Sequence, residues 1–316
     1  MTDPTPPRNG LAHAALAAAG IIWGTPFLFA KIALDELPVG HMLFYRFVIG
    51  SIAFVPVAWA TWRPIPRGDW PLLTAAAVLG VPVQFLVQFE GLARTTVSHA
   101  SLMIAALPIL LAAGAARFTG ERLARQDWVS LAVATVGAVL IGGAGGGDGG
   151  GRGATRFGDA LVLLSLFATV AWILITKRLT QRHDAAVVSS ATIWLGTALL
   201  AAWTLAADGL PAIHLRTGTW LALVAQGVLA TAGATLLWNW GITRVPAGRA
   251  GVYTNLEPIV GATLGVTVLG EALAAPAIVG GVLVLAGAAL VALRPAPEAA
   301  SPSARPTWSS PTASAR

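Results

Sequence analysis

The chain alternates between long uncharged apolar runs and short segments that carry charge. A transmembrane helix needs roughly 20 mainly apolar residues to cross the hydrocarbon core of a bilayer. The runs are about that long, so the pattern predicts ten transmembrane helices. They lie between Arg8 and Lys31, Arg46 and Arg63, Asp69 and Glu90, Arg94 and Arg117, Asp127 and Asp148, Asp159 and Lys177, Asp184 and Asp208, Arg216 and Arg244, and Glu271 and Arg294, with one more over 247–270 that only Glu257 interrupts.

Composition supports a membrane location, because 56% of the residues are hydrophobic and only 11% are charged. Soluble domains carry roughly 25% charged residues. The chain has no cysteine, which excludes disulfides, thiolate catalysis and cysteine-ligated metals. Its five histidines are scattered without metal-ligand spacing, so neither a metal nor another cofactor is expected. We interpret the net charge of +6 as loop charge of a membrane protein rather than a nucleic-acid surface.

A glycine-rich segment, 142–153, separates the fifth run from the sixth. Its match to G-x-G-x-x-G at Gly145, Gly147 and Gly150 has no strand before it and no lysine after it, so nucleotide binding is not expected. The end of the chain is rich in Pro, Ser and Ala and is predicted to be disordered. These features divide the chain into an N-terminal tail (1–10), a first five-helix unit (11–143), a linker (144–157), a second five-helix unit (158–293) and a C-terminal tail (294–316).

The basic residues predict the orientation of the helices. Ten spans place both termini on one side of the membrane, and that side carries fourteen Lys and Arg residues. The other side carries five, namely Lys31, Arg94, Arg152, Arg156 and Arg216. Because cytoplasmic loops carry an excess of Lys and Arg, both termini are predicted to be cytoplasmic in a cell (inner) membrane.

The chain also repeats itself at an offset of 150 residues, without a gap over some fifty residues. Arg94 aligns with Arg244, Pro108 with Pro258, and the Gly-Glu pair at 120–121 with the pair at 270–271. Each unit holds five spans, an odd number, so the second copy crosses the membrane in the opposite direction. The predicted fold is therefore an all-α integral membrane protein of ten helices in two inverted five-helix repeats. Inverted repeats of this kind are typical of secondary transporters, which bind substrate near the midplane between the halves.

Four segments carry a family resemblance: IIWGTPFLFAKIAL (21–34), FYRF (44–47), SLMIAALPILLAAGAARFTGERL (101–123) and NLEPIVGATLGVTVLGEAL (255–273). Together they resemble the two halves of an EamA-domain transporter of the drug/metabolite transporter superfamily, over roughly residues 11–293. The resemblance implies ten helices around a central cavity and the export of amino acids, other metabolites or toxic compounds. It does not identify the substrate.

Two charged residues fall inside predicted spans, where an unsatisfied polar group costs several kcal/mol. Glu257 lies between Asn255 and Pro258 in the ninth span. It is either a protonatable site that couples substrate to proton movement or a partner for a cationic substrate, or else a structural group hydrogen-bonded to a neighbouring helix. Arg46 lies one to two turns into the second span. It either attracts a substrate carboxylate, or snorkels to the interface, or pairs with a helix C-terminus.

Uncharged polar and aromatic residues extend this set of candidates. Gln84 and Gln88 are one helical turn apart and face the same way. Trp238 aligns with Gln88 in the repeat, and Asn239 follows it. The predicted cavity is therefore lined by Gln84, Gln88, Trp238, Asn239, Tyr253, Asn255 and Trp23, and the sequence Gly24-Thr25-Pro26 predicts a break in the first helix. Such a lining suits a zwitterionic or amphipathic solute, and the alternative is interhelical hydrogen bonding.

The repeated Pro108, Glu121, Pro258 and Glu271 are interpreted as structural. Each glutamate ends a span and is predicted to accept backbone N–H bonds at the start of the next helix.

The predicted function is secondary transport of a small molecule by alternating access. The expected partners are that substrate and the lipid bilayer, with homo-oligomerisation left open. One alternative is a channel or a scaffold that does not transport. A membrane-embedded enzyme is a further alternative, but the Asp residues lie at span ends, in loops or in the tail, and no catalytic residues are assigned.

Overall fold

The structure is a computed structural model that describes residues 9–61, 63–119, 125–144, 154–242, 244 and 251–292. These residues form helices and the short turns between them. The α-helices are α1 (Asn9–Trp23), α2 (Pro26–Leu34), α3 (Val39–Thr61), α4 (Trp70–Val78), α5 (Gln84–Ala93), α6 (Val97–Ile104), α7 (Leu107–Thr119), α8 (Arg125–Ala144), α9 (Arg156–Thr180), α10 (Ala185–Ala207), α11 (Thr217–Val224), α12 (Ala234–Ile242), α13 (Leu256–Leu269) and α14 (Ala275–Ala292).

Seven helical stretches of the described residues are long and apolar enough to cross a membrane. They are Gly10–Leu34, Val39–Val57, Arg67–Ala93, Val97–Phe118, Arg156–Thr180, Ala185–Ala207 and Thr217–Trp238. The fifth and tenth predicted spans correspond to the shorter apolar stretches Trp128–Ile141 and Ala275–Gly287. The ninth corresponds to α13, which has 14 residues. The protein is thus a multi-pass helical membrane protein, and the count of ten stays a prediction.

Several of the long stretches are interrupted. The first is broken between Trp23 and Pro26, at the place that the Gly24-Thr25-Pro26 sequence predicts. Two others contain a π-helical segment, Leu79–Val83 between α4 and α5 and Ala225–Gly233 between α11 and α12. Both π-helical segments lie in the same part of the 150-residue repeat. Such segments occur frequently at functional sites.

Helix packing follows the repeat. Helix α5 packs on α9, and at the 150-residue offset the corresponding pair, α12 and α1, also packs together. Helices that correspond to each other also pack directly, α3 on α10 and α8 on α14. A buried hydrophobic core that includes Phe27, Phe47, Phe89, Met103 and Leu166 joins helices of both repeats. Helix α9 begins at Arg156, and the Thr155 hydroxyl caps it.

The contact between α8 and α14 depends on two facing glycines. A Cβ added at Gly137 would lie 2.5 Å from the carbonyl oxygen of Gly280, which is too close for either backbone to accommodate. We expect Gly137→Ala to destabilise the protein by about 1–3 kcal/mol through overpacking. Gly143→Ala, on the same helix, adds a methyl group with nothing within 4 Å and is expected to be neutral or slightly stabilising. Melting of the purified variants in detergent tests this, and equal melting temperatures would contradict it.

Candidate functional site

Helix α3 holds Arg46 inside the protein, where the residue is only 6% exposed. Its guanidinium carbon lies 4.8 Å from the centre of the Phe85 ring and 5.4 Å from that of Phe89, which is cation–π range. Its Nε donates a hydrogen bond of 3.4 Å to the Thr231 hydroxyl, and Nη1 has no partner among the described residues. Arg46 therefore does not snorkel, and it offers a buried cationic donor that an anionic ligand can satisfy.

Glu257 supplies an opposite charge from another helix. It lies in the first turn of α13, where the positive end of the helix dipole favours a carboxylate. Its side chain is half-buried, and it interacts electrostatically with Arg46. The two side chains form no direct ion pair, which would require an N···O distance of 4.0 Å or less. Two opposite charges thus interact inside the bundle without a direct bond between them.

Aromatic side chains lie beside Glu257, around the break between α1 and α2. The ring of Trp23 lies 5.3 Å from that of Trp238, and its indole N–H donates to the carbonyl oxygen of Ala230 at 3.2 Å. Tyr253 precedes α13, and its hydroxyl lies 2.8 Å from Nδ1 of His13. The break itself lies directly against α13, because a Cβ added at Gly24 would be 2.8 Å from the Glu257 carbonyl oxygen.

Glutamine side chains supply further polar groups in the interior. Gln84 and Gln88 on α5 are both buried, and Oε1 of Gln84 has no partner among the described residues. Gln226 is fully buried, and neither of its side-chain polar atoms has a partner within the same set of residues. It lies in the second π-helical segment, and its carbonyl oxygen accepts a bond from the Thr231 hydroxyl, which also contacts Arg46. The sequence reasoning did not single out Gln226, although a glutamine in an apolar run is a visible signal.

The repeated glutamate Glu271 has a structural role, but not quite the predicted one. It accepts hydrogen bonds from the backbone N–H groups of Val97 and Ser98, at 2.7 and 2.8 Å, and from the Ser98 hydroxyl at 2.7 Å. It therefore caps α6 in the first repeat, not the following helix. The predicted partner of Glu271, the helix that follows it in sequence, was wrong. A carboxylate at a turn binds the helix start that is nearest in space, which here is the start of α6.

The remaining candidates have no side-chain contact with Arg46 or Glu257 among those described, or lie beyond what the structure describes. Asn255 is half-buried and immediately precedes α13, Pro258 is buried on α13, and Pro108 is half-buried near the start of α7. Asn239 lies on α12, but its side chain is outside the described part, as are Glu121 and both predicted tails apart from the first residues of α1. A cavity of about 440 Å³ lies elsewhere, lined by Asp69, Arg178, Gln181 and Arg182.

The apolar spans, the repeat and the buried charges define a multi-pass membrane protein with a polar interior. The EamA-like transporter family matches residues 10–143 and 156–293, so each repeat carries one copy of the family's domain. The chain belongs to this family. Its members are transporters, which handle small-molecule substrates and are not enzymes.

Curated relatives agree with this assignment. An uncharacterized transporter of Archaeoglobus fulgidus is 26% identical over 88% of this chain and 96% of its own length. A probable terminal-alkyne amino-acid exporter of Streptantibioticus cattleyicolor is 27% identical, over 88% and 92% of the two lengths. A probable amino-acid metabolite efflux pump of Salmonella typhimurium is 23% identical, over 84% and 90%. A solved structure that covers 89% of this chain and 98% of its own resembles it with a TM-score of 0.62 and 21% identity, which shows the fold alone.

Proposed function

We propose that the protein is a secondary carrier that exports small zwitterionic solutes, such as amino acids, by alternating access. The observation that carries the proposal is a pair of opposite charges in the interior, Arg46 and Glu257, that interact electrostatically without a direct ion pair. A guanidinium recognises a carboxylate, and a carboxylate recognises an ammonium group. A zwitterion between the two residues would satisfy both charges at once. The names of two relatives, an amino-acid exporter and an amino-acid metabolite efflux pump, favour the same substrate class.

The aromatic groups would hold the apolar part of the solute. Trp23 and Trp238 lie in contact beside the turn that positions Glu257, and Phe85 and Phe89 lie against Arg46. Ligand sites of this kind combine an apolar lining with a few placed polar groups.

Alternating access follows from the proposed topology of ten helices in two inverted halves, 11–143 and 158–293. An odd number of spans in each half reverses the second copy. Helix α5 of the first half packs on α9 of the second, and their counterparts at the 150-residue offset, α12 and α1, pack in the same way. This pattern supports a two-fold relation between the halves. The excess of basic residues in alternate loops supports cytoplasmic termini in a cell (inner) membrane.

Transport by purified protein in proteoliposomes tests the proposal. We expect saturable uptake of a labelled amino acid with an apolar side chain, and faster uptake when the vesicles are preloaded with the same compound. A channel would give flux that does not saturate and shows no such exchange. No flux of any amino acid would contradict the proposed substrate class, and chemical conversion without translocation would favour the enzyme alternative.

Glu257→Gln gives a sharper test of the site. We expect at least a roughly tenfold loss of apparent affinity for the zwitterion, because a charge-assisted bond to the ammonium is lost. Glu90→Gln is the matched control, since Glu90 is exposed and paired with Arg94 one turn away. Uptake of a solute without an ammonium group should be affected much less. Equal kinetics of the Glu257 and Glu90 variants would exclude the assigned role.

A further inference from the structure

A buried Asp–His pair joins two helices at one end of the bundle. Asp159, in the first turn of α9, is 1% exposed, and His99, in the first turn of α6, is 3% exposed. Oδ2 of Asp159 lies 3.1 Å from Nδ1 of His99, and Oδ1 accepts a hydrogen bond from the Thr95 hydroxyl. Because an ionised carboxylate only accepts, Nδ1 is assigned the donated hydrogen. The other ring nitrogen, Nε2, is then the atom that takes up a further proton.

The pair lies where the two repeats meet. Helix α6 belongs to the first repeat and α9 to the second, and the two helices pack together. The neighbouring turns are also joined, because the backbone N–H and the hydroxyl of Thr155 donate to the carbonyl oxygen of Arg94, at 3.1 and 2.6 Å. Separating the repeats at this end therefore requires breaking the Asp159–His99 hydrogen bond. Neither residue belongs to the site around Arg46.

Other charged groups surround the pair. The Lys31 ammonium donates to the carbonyl oxygen of Thr95 at 2.6 Å and interacts electrostatically with Glu271, the carboxylate that caps α6, and with Asp35. Lys31 and Glu271 are half-buried and Asp35 is exposed. Glu90 and Arg94 on α5 and at its end are exposed and paired with each other. Arg156, in the same turn of α9 as Asp159, is exposed.

Protonation of His99 changes the net charge that is buried at this end of the bundle. The surrounding charges cancel, because three basic residues (Lys31, Arg94 and Arg156) stand against three acidic ones (Asp35, Glu90 and Glu271). The buried carboxylate of Asp159 therefore leaves a net negative charge when His99 is neutral. A proton on His99 converts the pair into a buried ion pair with no net charge. Because an uncompensated buried charge costs far more than a paired one, the protonated pair favours the closed, dry arrangement.

We propose that Asp159 and His99 form a proton-binding site that closes this end of the bundle when it is occupied. The coupling to transport rests on the proposed function. In an exporter whose α6 start faces outside, protons that arrive from outside would close the outer end and return the carrier to its inward-facing form. Proton coupling is thereby assigned to this pair and not to Glu257, which binds substrate.

The absence of cysteine from the sequence makes a thiol-accessibility test simple. Met103 lies one turn beyond His99 on α6 and is fully buried, so Met103→Cys reports whether this end opens. Leu210 is 87% exposed, so Leu210→Cys reports the reactivity of the reagent at each pH. Both single-cysteine proteins are purified in nanodiscs and labelled with a maleimide. The ratio of their labelling rates measures opening and needs no substrate.

We expect this ratio to rise at least about fivefold between pH 5.5 and 8.5, because loss of the proton from the pair opens this end. Asp159→Asn and His99→Gln, each added to the Met103→Cys protein, should abolish the rise, and Glu257→Gln should leave it intact. The His99 variant keeps a donor for Asp159, so it serves if the Asp159 variant does not fold.

A flat ratio in the parent protein, or a rise that survives both substitutions, would overturn the proposal. If only Glu257→Gln abolished the rise, the proton-binding site would be at Glu257, and the proposal would also be overturned. A protein that passes this test but does not transport amino acids would refute only the proposed substrate. The proton-binding site and the proposed function can therefore fail separately.

Discussion

Arg46→Gln is expected to reduce the uptake of a zwitterionic substrate roughly 100-fold at concentrations below saturation. The guanidinium is held by Phe85 and Phe89 and by one long hydrogen bond to Thr231, and its Nη1 is unpaired among the described residues. Glutamine has about the right length but no charge. It would lose the bidentate recognition of a carboxylate, which is the strongest contact that this site can offer.

The comparison with lysine separates charge from geometry. Arg46→Lys keeps the positive charge but not the planar fork, so we expect an intermediate loss of uptake. Arg216→Gln is a control of the same chemistry, because Arg216 is exposed and paired with Glu36. Uptake is measured in proteoliposomes containing equal amounts of each variant. If the Gln variant of Arg46 behaved like that of Arg216, Arg46 would be a packing residue.

The same experiment extends to a double variant. If one zwitterion bridges Arg46 and Glu257, then Arg46→Gln and Glu257→Gln together should cost less than the product of the two single effects. The two residues would be coupled through the ligand, and neighbours of this kind do not behave additively.

The helical, multi-pass character of the protein was predictable from the sequence because lipid imposes a simple rule, and seven of the predicted apolar spans appear as long apolar helical stretches among the described residues. Charges such as Lys31, Arg94 and Asp208 mark the ends of apolar stretches, so the spacing of charges gives the spans. The break at Gly24-Thr25-Pro26 was also predictable, since proline lacks the N–H that would continue the preceding helix and is favoured at the start of a new one. The π-helical segments were not predicted: Leu79–Val83 contains Pro82, but α3 also contains a proline, Pro56, and remains α-helical.

The candidate site was predictable only in part. Arg46, Glu257 and Gln84 stand out because a polar residue in an apolar run must be satisfied inside the protein. What surrounds each of them depends on tertiary packing, which brings Arg46 and Glu257 into electrostatic range although they are more than 200 residues apart in sequence. Asp159 and His99 were missed for the same reason, since each looks like an ordinary residue at the end of a span until the other is placed beside it.

Glu271→Ala is expected to destabilise the protein strongly. Its carboxylate accepts from the backbone N–H groups of Val97 and Ser98, and alanine would leave both without this acceptor at the start of α6. Each buried donor left unpaired costs roughly 1–3 kcal/mol, so the total is expected to exceed the effect of most single substitutions. Thermal unfolding of the purified protein in detergent, followed by the fluorescence of its 12 tryptophans, measures the loss.

Two companion variants make the Glu271 result interpretable. Glu271→Gln keeps one good acceptor oxygen and should lose clearly less stability than Glu271→Ala. Glu90→Ala removes an exposed carboxylate whose partner is Arg94 and should change the melting temperature little, because exposed ion pairs contribute about 0–1 kcal/mol. If Glu271→Ala and Glu90→Ala had the same melting temperature, the cap would not hold the repeats together. If Glu271→Ala melted far below Glu90→Ala, then a carboxylate of the second repeat stabilises a helix of the first, which ties the two halves at the end where Asp159 meets His99.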